Sequence, residues 1–247
     1  MKHQQAMPNL EDQNFKVSGD KAFYSLQGEG PTMGEPAVFL RLHYCNLHCV
    51  WCDTPYTWDK TMKEYFSEPV EWSVEETAKK VKKLWGCENP KKIKRLVITG
   101  GEPLLWMKQI EQLIILLPDW NVEIETNGTI MPSEFLLMIC QFNCSPKLGN
   151  SKNDRKIRIN IPVLKEIATR QSAFKFVVQK PEELDEIEKD FVIPANISVD
   201  KVILMPEGVS NKSLKEHSQA VAEYAKKKGY RIMGRLQINL WGKKRRK

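Results

Sequence analysis

The sequence has no long hydrophobic run. Its unbroken apolar stretches, such as Leu113 to Leu117, fall far short of the ~20 residues that span a bilayer, so no membrane segment and no membrane partner are expected. The opening residues MKHQQAMPNLEDQNF lack an apolar core, so no signal peptide is expected and the cytoplasm is the expected compartment. There is no internal repeat and no low-complexity segment. Nor does the chain need disulfide staples: a domain of 247 residues buries about 70–75% of the surface its unfolded chain exposes. Of its six cysteines, three lie within eight residues, and clustered thiols in a reducing compartment point to metal rather than to disulfides. Net charge is +7 with a pI near 9.0, which suits anionic partners without establishing them. Part of the excess is the terminal run Lys243, Lys244, Arg245, Arg246 and Lys247. A solvated tail and a contact to nucleic acid or an acidic partner are both open for it.

Short apolar runs alternate with helical patterns. Strands are expected at Ala37–Leu42, Arg95–Thr99, Asn121–Glu125, Phe142–Ser145, Ala173–Val178 and Lys201–Met205, and helices at Ser73–Trp85, Leu105–Leu117, Ser133–Cys140, Pro162–Thr169, Glu182–Asp190 and Ser213–Lys228. That alternation is the pattern of βαβ units and a parallel sheet. Ser73 with Glu76 reads as a capping box, and Gly229 after a lysine-rich turn as a helix stop. Six strands fall short of a closed eight-stranded barrel, so the expected fold is α/β, a partial, open (β/α)6-type barrel forming one domain over residues 1–247.

Functional groups in such folds gather at the carboxyl ends of the strands. Here the strands run in turn into Cys45, Thr99-Gly100-Gly101-Glu102-Pro103, Glu125-Thr126-Asn127-Gly128, Ser145-Pro146-Lys147, Gln179-Lys180 and Pro206-Glu207-Gly208. Any one of these is an ordinary turn; six on one rim suggest a single large site.

The densest chemistry is Cys45-Asn46-Leu47-His48-Cys49-Val50-Trp51-Cys52. A [4Fe–4S] cube takes four cysteines when fully ligated, so three would leave one iron open, the mark of a reactive rather than a structural metal site. An open iron can bind the amino and carboxylate groups of S-adenosylmethionine (SAM), whose reductive cleavage yields a 5′-deoxyadenosyl radical. A Cys3His zinc site using His48 or His43 satisfies the ligand count equally. Cys140 and Cys144 repeat part of the spacing but sit at the end of an apolar helix and in a strand, where they read as core residues, and Cys87 reads as an incidental loop thiol.

Cys-x3-Cys-x2-Cys with an aromatic residue before the last cysteine resembles the signature of the radical SAM superfamily, and Gly100-Gly101-Glu102-Pro103 resembles its second motif, which meets the methionine amino group. Three further segments narrow the resemblance: Phe23-Tyr24-Ser25-Leu26-Gln27-Gly28-Glu29-Gly30-Pro31, Cys52-Asp53-Thr54-Pro55-Tyr56 and Ser145-Pro146-Lys147. Together they are similar to the 7-carboxy-7-deazaguanine synthase family, over nearly the whole chain from about Phe23 to Gly242. The resemblance implies conversion of 6-carboxy-5,6,7,8-tetrahydropterin to 7-carboxy-7-deazaguanine with loss of ammonia, on the queuosine-type route to 7-deazapurines. It implies a [4Fe–4S] cluster, SAM and Mg²⁺ as cofactors, an external electron donor of flavodoxin or ferredoxin type, and a homodimer; nucleic acid is not an expected partner.

Residue by residue, the resemblance places the cluster on Cys45, Cys49 and Cys52. Leu26, Gln27, Gly28 and Glu29 would line the pterin, with Thr99 touching it and Arg41 holding its carboxylate. Trp51, Cys52, Asp53, Gly101, Glu102, Ser145, Pro146 and Lys147 would meet SAM, and Thr54 would ligate Mg²⁺. The residue chemistry fits. Gln27 offers both a donor and an acceptor to an aminopyrimidinone edge. Arg41, costly inside an apolar strand unless paired, presents a planar fork that matches a carboxylate. Gly28 and Gly30 allow close approach to a flat ring. Thr54 supplies a neutral oxygen to an ion that keeps its waters.

Two features depart from the family pattern. Gln237-Ile238-Asn239 has asparagine where histidine is usual, and only lysines and arginines follow Trp241-Gly242. The segment Lys60 to Trp72 is read as a lid or an interface. Two alternatives stay open at this level: an activating enzyme for a glycyl radical protein, which shares the cysteine spacing, and a zinc-stabilised basic RNA-binding module, for which no RNP-type aromatic motif is present.

Overall fold

The computed structural model describes residues 14–86, 93–208, 210–242 and 244. Nine strands form one sheet: β1 (Asn14–Leu26), β2 (Pro36–Leu42), β3 (Val70–Ser73), β4 (Lys94–Gly100), β5 (Trp120–Thr126), β6 (Gln141–Cys144), β7 (Ser172–Val178), β8 (Val202–Pro206) and β9 (Arg231–Ile232), in the order β3-β1-β2-β4-β5-β6-β7-β8-β9. From β2 to β9 every neighbouring pair is parallel, while β1 runs antiparallel to β2 and to β3. The sheet is open and unclosed, as expected of a partial barrel, and the six expected strands are β2 and β4 through β8, each within two residues at either end.

Three strands go beyond that expectation. β1 is long and carries Lys16, Ser18, Gly19 and Lys21 mid-run, and its pairing with β2 shifts register between Val17 and Ala22; a bulge of this kind breaks the period-two signal by which a strand is read. The segment Lys60 to Trp72 is a short helix (Lys63–Ser67) followed by edge strand β3. Its place is therefore beside β1, with Asn14 opposite Ser73 and Val17 opposite Val70.

Alternation along the strands separates two faces. Val38, Leu40, Leu42, Leu96, Ile98, Ile124, Phe142, Phe174, Phe176 and Leu204 belong to the core beneath the helices. Cys140 and Cys144 join that core, and burial pushes the Cys140 thiol up to about 12 and Cys144 higher still. The inner face is different. A small apolar plug (Ala37, Phe39, Val97 and Phe23, with the Phe23 and Phe39 rings stacked at 5.2 Å) fills part of it. The rest is polar. Glu123, fully buried, accepts from Arg95 (2.7 Å), Thr32 (2.7 Å) and Asn143 (2.8 Å), so its charge is paired and its lone pairs are used, the condition for burying it at all.

The helices start and stop where their caps dictate. The Ser73 side chain accepts from the Glu76 amide at the start of Val74–Trp85, and left-handed Gly86 ends it. Asn211–Lys228 opens on a Ser210–Ser213 capping box and ends at Gly229, φ +74°. The helix expected at Glu182–Asp190 starts at Leu184 and runs through a π-helical stretch, Ile187–Val192, to Ala195. Cys87 lies outside the described residues, as do Lys243 and Arg245 to Lys247 of the basic tail.

Candidate active site

One cavity of about 540 Å³ opens at the carboxyl ends of the parallel strands. It is lined from below by the inward positions of the sheet, among them Phe39, Arg41, Thr99, Glu125, Asn143, Lys175 and Met205. Around the rim stand Cys45, Cys49, Trp51, Cys52, Asp53 and Thr54 after β2, Gly101 after β4, and Ser145 and Lys147 after β6. Leu26, the last residue of antiparallel β1, lies opposite Pro36 at the amino-terminal end of β2, and it and the following Gln27, Gly28 and Glu29 also line the cavity. Residues far apart in the chain thus meet in one chamber of the size that small-molecule sites have.

Two expected members stand elsewhere. Glu102 and Pro146 are buried and are not among the residues that line the cavity. Glu102 is fully buried, and its oxygens accept from the Leu104 amide (3.0 Å), Thr126 Oγ1 (2.8 Å) and the Asn127 amide (2.7 Å). Burial raises its pKa, against the pull of these donors. Its carboxyl ties the end of β4 to the end of β5, and Asn127 passes the tie on by donating to Asn46 of the cysteine loop (2.8 Å).

The cysteine loop is aimed by backbone geometry. Tyr44 takes φ +72°, a left-handed conformation that costs a bulky residue about 1–2 kcal/mol. Its ring stacks on Trp106 (5.9 Å between centroids), its hydroxyl accepts from Lys16 (3.1 Å), and its carbonyl accepts from the Glu102 amide (2.8 Å). The neighbouring turn must be glycine. A Cβ on Gly101 would lie 2.0 Å from the Tyr44 carbonyl oxygen and 2.8 Å from Cys45 Cβ, and one on Gly100, φ +142°, would lie 2.1 Å from the Leu42 carbonyl oxygen.

The three thiols share one wall of the cavity. Burial pushes Cys45 up to about 12, with the Leu47 amide opposing and Glu102, Cys52 and Cys49 adding to the rise. Burial raises Cys49 too, while Lys147 and an amide N–H of Asn153 oppose it. A metal centre supplies the positive charge that buried thiolates such as Cys45 and Cys49 need, so the donor set fits an iron–sulfur cluster. Among the described residues no three His, Cys, Asp or Glu side chains converge on a point that would hold a single ion, and neither histidine considered for zinc lines the cavity. His48 stacks on Trp58 (4.6 Å), and His43 is buried between Tyr44 and Tyr65.

The other expected residues are held as follows. Gln27 is buried; its oxygen accepts from the Glu29 amide (3.2 Å) and its nitrogen donates to Glu123 (3.4 Å) and Glu125 (3.3 Å), which sets the orientation of the amide. Arg41 and Thr99 sit side by side in register across β2 and β4. The Thr54 hydroxyl lies 3.7 Å from Cys52 Sγ. Lys147 reaches Ser145 (2.9 Å) and lies 5.5 Å from the centre of the Trp51 ring.

Among the cavity residues that were not anticipated, three surround Glu29. Lys175 on β7 pairs with Glu29 (3.0 Å) and Glu125 (3.7 Å). Arg235 reaches Glu29 (3.0 Å) and Asp53, and Gln237 donates to Glu29 (2.7 Å). Burial alone would raise the Glu29 carboxyl; Lys175 and Arg235 overturn that and hold it well below the usual carboxylate range. The signal for Lys175 was present, a lone lysine inside Ala173–Val178, and the argument applied to Arg41 applies to it equally. Arg235 carries no such signal, since Glu29 and Asp53 lie 206 and 182 residues away.

Comparison with known proteins decides the family. The Radical SAM superfamily matches residues 40–186. A 7-carboxy-7-deazaguanine synthase from Pyrobaculum aerophilum is 36% identical over 229 residues, covering 91% of this chain and 95% of its own length. One from Rhodopirellula baltica is 33% identical over 240 residues, covering 91% and 86%. The chain belongs to the 7-carboxy-7-deazaguanine synthase family. A crystal structure of QueE from Escherichia coli aligns with a TM-score of 0.65 at 22% identity, covering 91% of this chain and 95% of that one, a likeness in fold. As a 7-carboxy-7-deazaguanine synthase family member the chain is a radical SAM enzyme of 7-deazapurine biosynthesis, and the superfamily implies a [4Fe–4S] cluster and SAM. Membership sets aside the glycyl-radical and RNA-binding alternatives. Among the described residues no helix is long and apolar enough to cross a membrane.

Proposed function

We propose that this enzyme converts 6-carboxy-5,6,7,8-tetrahydropterin to 7-carboxy-7-deazaguanine with loss of ammonia. The observation that carries the reading is the meeting of the Leu26–Glu29 loop, Arg41, Thr99 and the three thiols in one cavity. Cys45, Cys49 and Cys52 would hold the cluster, and Trp51, Asp53, Gly101, Ser145 and Lys147 would hold SAM. Glu102 and Pro146 would support that site from behind the wall. Held by these residues, a reduced cluster and SAM would supply the radical chemistry for hydrogen abstraction from substrate.

The chain's own residues bind and orient. Gln27, its amide fixed from both ends, presents one orientation to a pyrimidinone edge. Arg41 offers a fork to the substrate carboxylate. Glu29 is shared by Lys175 and Arg235, and each cation has a second carboxylate partner, Glu125 for Lys175 and Asp53 for Arg235, so neither cation faces a polar heterocycle unpaired. Thr54 would lend its oxygen to Mg²⁺. We extend the reading to a single domain, a homodimer, a flavodoxin- or ferredoxin-type donor and a cytoplasmic location.

The test is anaerobic turnover with SAM, dithionite, Mg²⁺ and the carboxytetrahydropterin, followed by mass spectrometry and ammonium release. The deazaguanine product with one ammonium per turnover is expected. SAM cleavage with the pterin returned intact would overturn the reading.

A further inference from the structure

The loop after β6 curls back onto the cysteine loop from outside the cavity. The turn Gly149–Ser151 ends at left-handed Lys152, φ +63°, and delivers Asn153 against the loop. Asn153 Oδ1 accepts from the His48 amide (2.8 Å), while Asn153 Nδ2 donates to Cys49 Sγ (3.3 Å) and to Ser151 Oγ (3.2 Å). The backbone completes the grip, with the Val50 amide donating to the Ser151 carbonyl (3.2 Å). The amide cannot turn over: its oxygen is claimed by a backbone N–H, so the face toward sulfur has to be the donor.

We infer that Asn153 is a positioning residue for the iron–sulfur cluster that raises its reduction potential by donating a hydrogen bond to the Cys49 sulfur. A ligating thiolate accepts negative charge as a cluster takes up an electron. A fixed N–H on that sulfur stabilises the reduced form more than the oxidised one, so the potential shifts toward easier reduction. The electron comes from a low-potential one-electron donor, dithionite in the test, and the oxidised cluster is the species reduced. Asn153 also orders the cysteine loop, since the same side chain holds the amide beside Cys49. The inference rests on the proposal that Cys45, Cys49 and Cys52 carry the cluster.

The test is a spectroelectrochemical titration of the reconstituted holoenzyme without SAM, with iron and sulfide content measured alongside. Asn153→Asp keeps an acceptor for His48 but faces the sulfur with oxygen, and Asn153→Ala removes all three side-chain contacts. Both are expected to lower the midpoint potential at unchanged iron content, Asp the more. Midpoints equal to the parent's at full iron content would overturn the inference. Should the variants not hold iron, the parent grown with ¹⁵N-labelled asparagine answers alone: pulsed EPR of the reduced cluster shows a coupled amide nitrogen if the hydrogen bond exists, and its absence refutes it. A parent that takes up no cluster defeats the three-cysteine proposal itself, a result separate from a cluster with an insensitive potential.

Discussion

Glu102 enters the interior with three donors waiting: the Leu104 and Asn127 amides and the Thr126 hydroxyl. Its motif reads as a cofactor contact in the sequence, because a glycine-rich turn ending in a carboxylate does not reveal which way the carboxylate faces. Removing it strands two backbone donors where water is excluded, at about 1–3 kcal/mol each. Glu102→Ala is therefore expected to lower unfolding free energy by about 3 kcal/mol in denaturant titration, and a loss of activity at unchanged stability would restore the cofactor reading. The Lys175–Glu29 pair gives a second prediction. Breaking a buried pair from one side costs about 3–5 kcal/mol, and since Arg235 still serves Glu29, Lys175→Met is expected at the low end, read by the same titration. The pH dependence has a definite sign. Glu29 has a folded pKa held below its ordinary 4.5, so its contribution is complete above pH 4.5 and is lost as pH falls from there through the folded value. The stability gap between the parent and Glu29→Gln should thus narrow on acidification below 4.5; a gap that widened there would refute the assignment. Lys175 was legible by the logic that found Arg41, a cation inside an apolar strand.

At the scale of elements, the six parallel strands were legible because each is a run of apolar residues closed by a polar or glycine-bearing turn. β1 was not, since its bulge and mid-strand polar residues hide the alternation, and β3 was not, since four residues acquire strand identity only from pairing with β1. The rim turns read correctly as a set, because chain order puts every βα turn of a parallel sheet on the same edge. What binds the rim together is the packing of one turn on the next. Gly101 admits the Tyr44 carbonyl to a place where a methyl group would be 2.0 Å away, and neither partner is a flexible side-chain end. Gly101→Ala must therefore push the turn after β4 away from Cys45. The expected outcome is a folded protein with native far-UV circular dichroism that takes up less than half of the parent's iron on anaerobic reconstitution. Full iron uptake would show that the contact has slack.

At the scale of the whole molecule, the two ends of the described chain close the site together. Leu236 donates from its amide to the Gly28 carbonyl (3.1 Å), Gln237 reaches Glu29, and Arg235 spans Glu29 of the loop after β1 and Asp53 of the cysteine loop. The sheet is complete at β9, before this segment begins, so the contacts contribute little to the core and much to the mouth of the cavity. Arg235 is largely withdrawn from solvent, and its guanidinium is shared by two carboxylates on loops that carry different candidate ligands. Without it, Asp53 loses a partner and Glu29 keeps Lys175, so the two loops are no longer held to each other. Arg235→Met should leave iron content close to the parent's, because the thiols do not depend on it, and should lower the melting temperature no more than Lys175→Met does, because Glu29 keeps Lys175. The KM for the pterin should rise about tenfold, equivalent to about 1.4 kcal/mol of lost binding, with a smaller effect on kcat. Steady-state kinetics beside a thermal melt separate the cases: an unchanged KM with a large drop in melting temperature would make Arg235 a structural tie and detach the C-terminal segment from substrate binding.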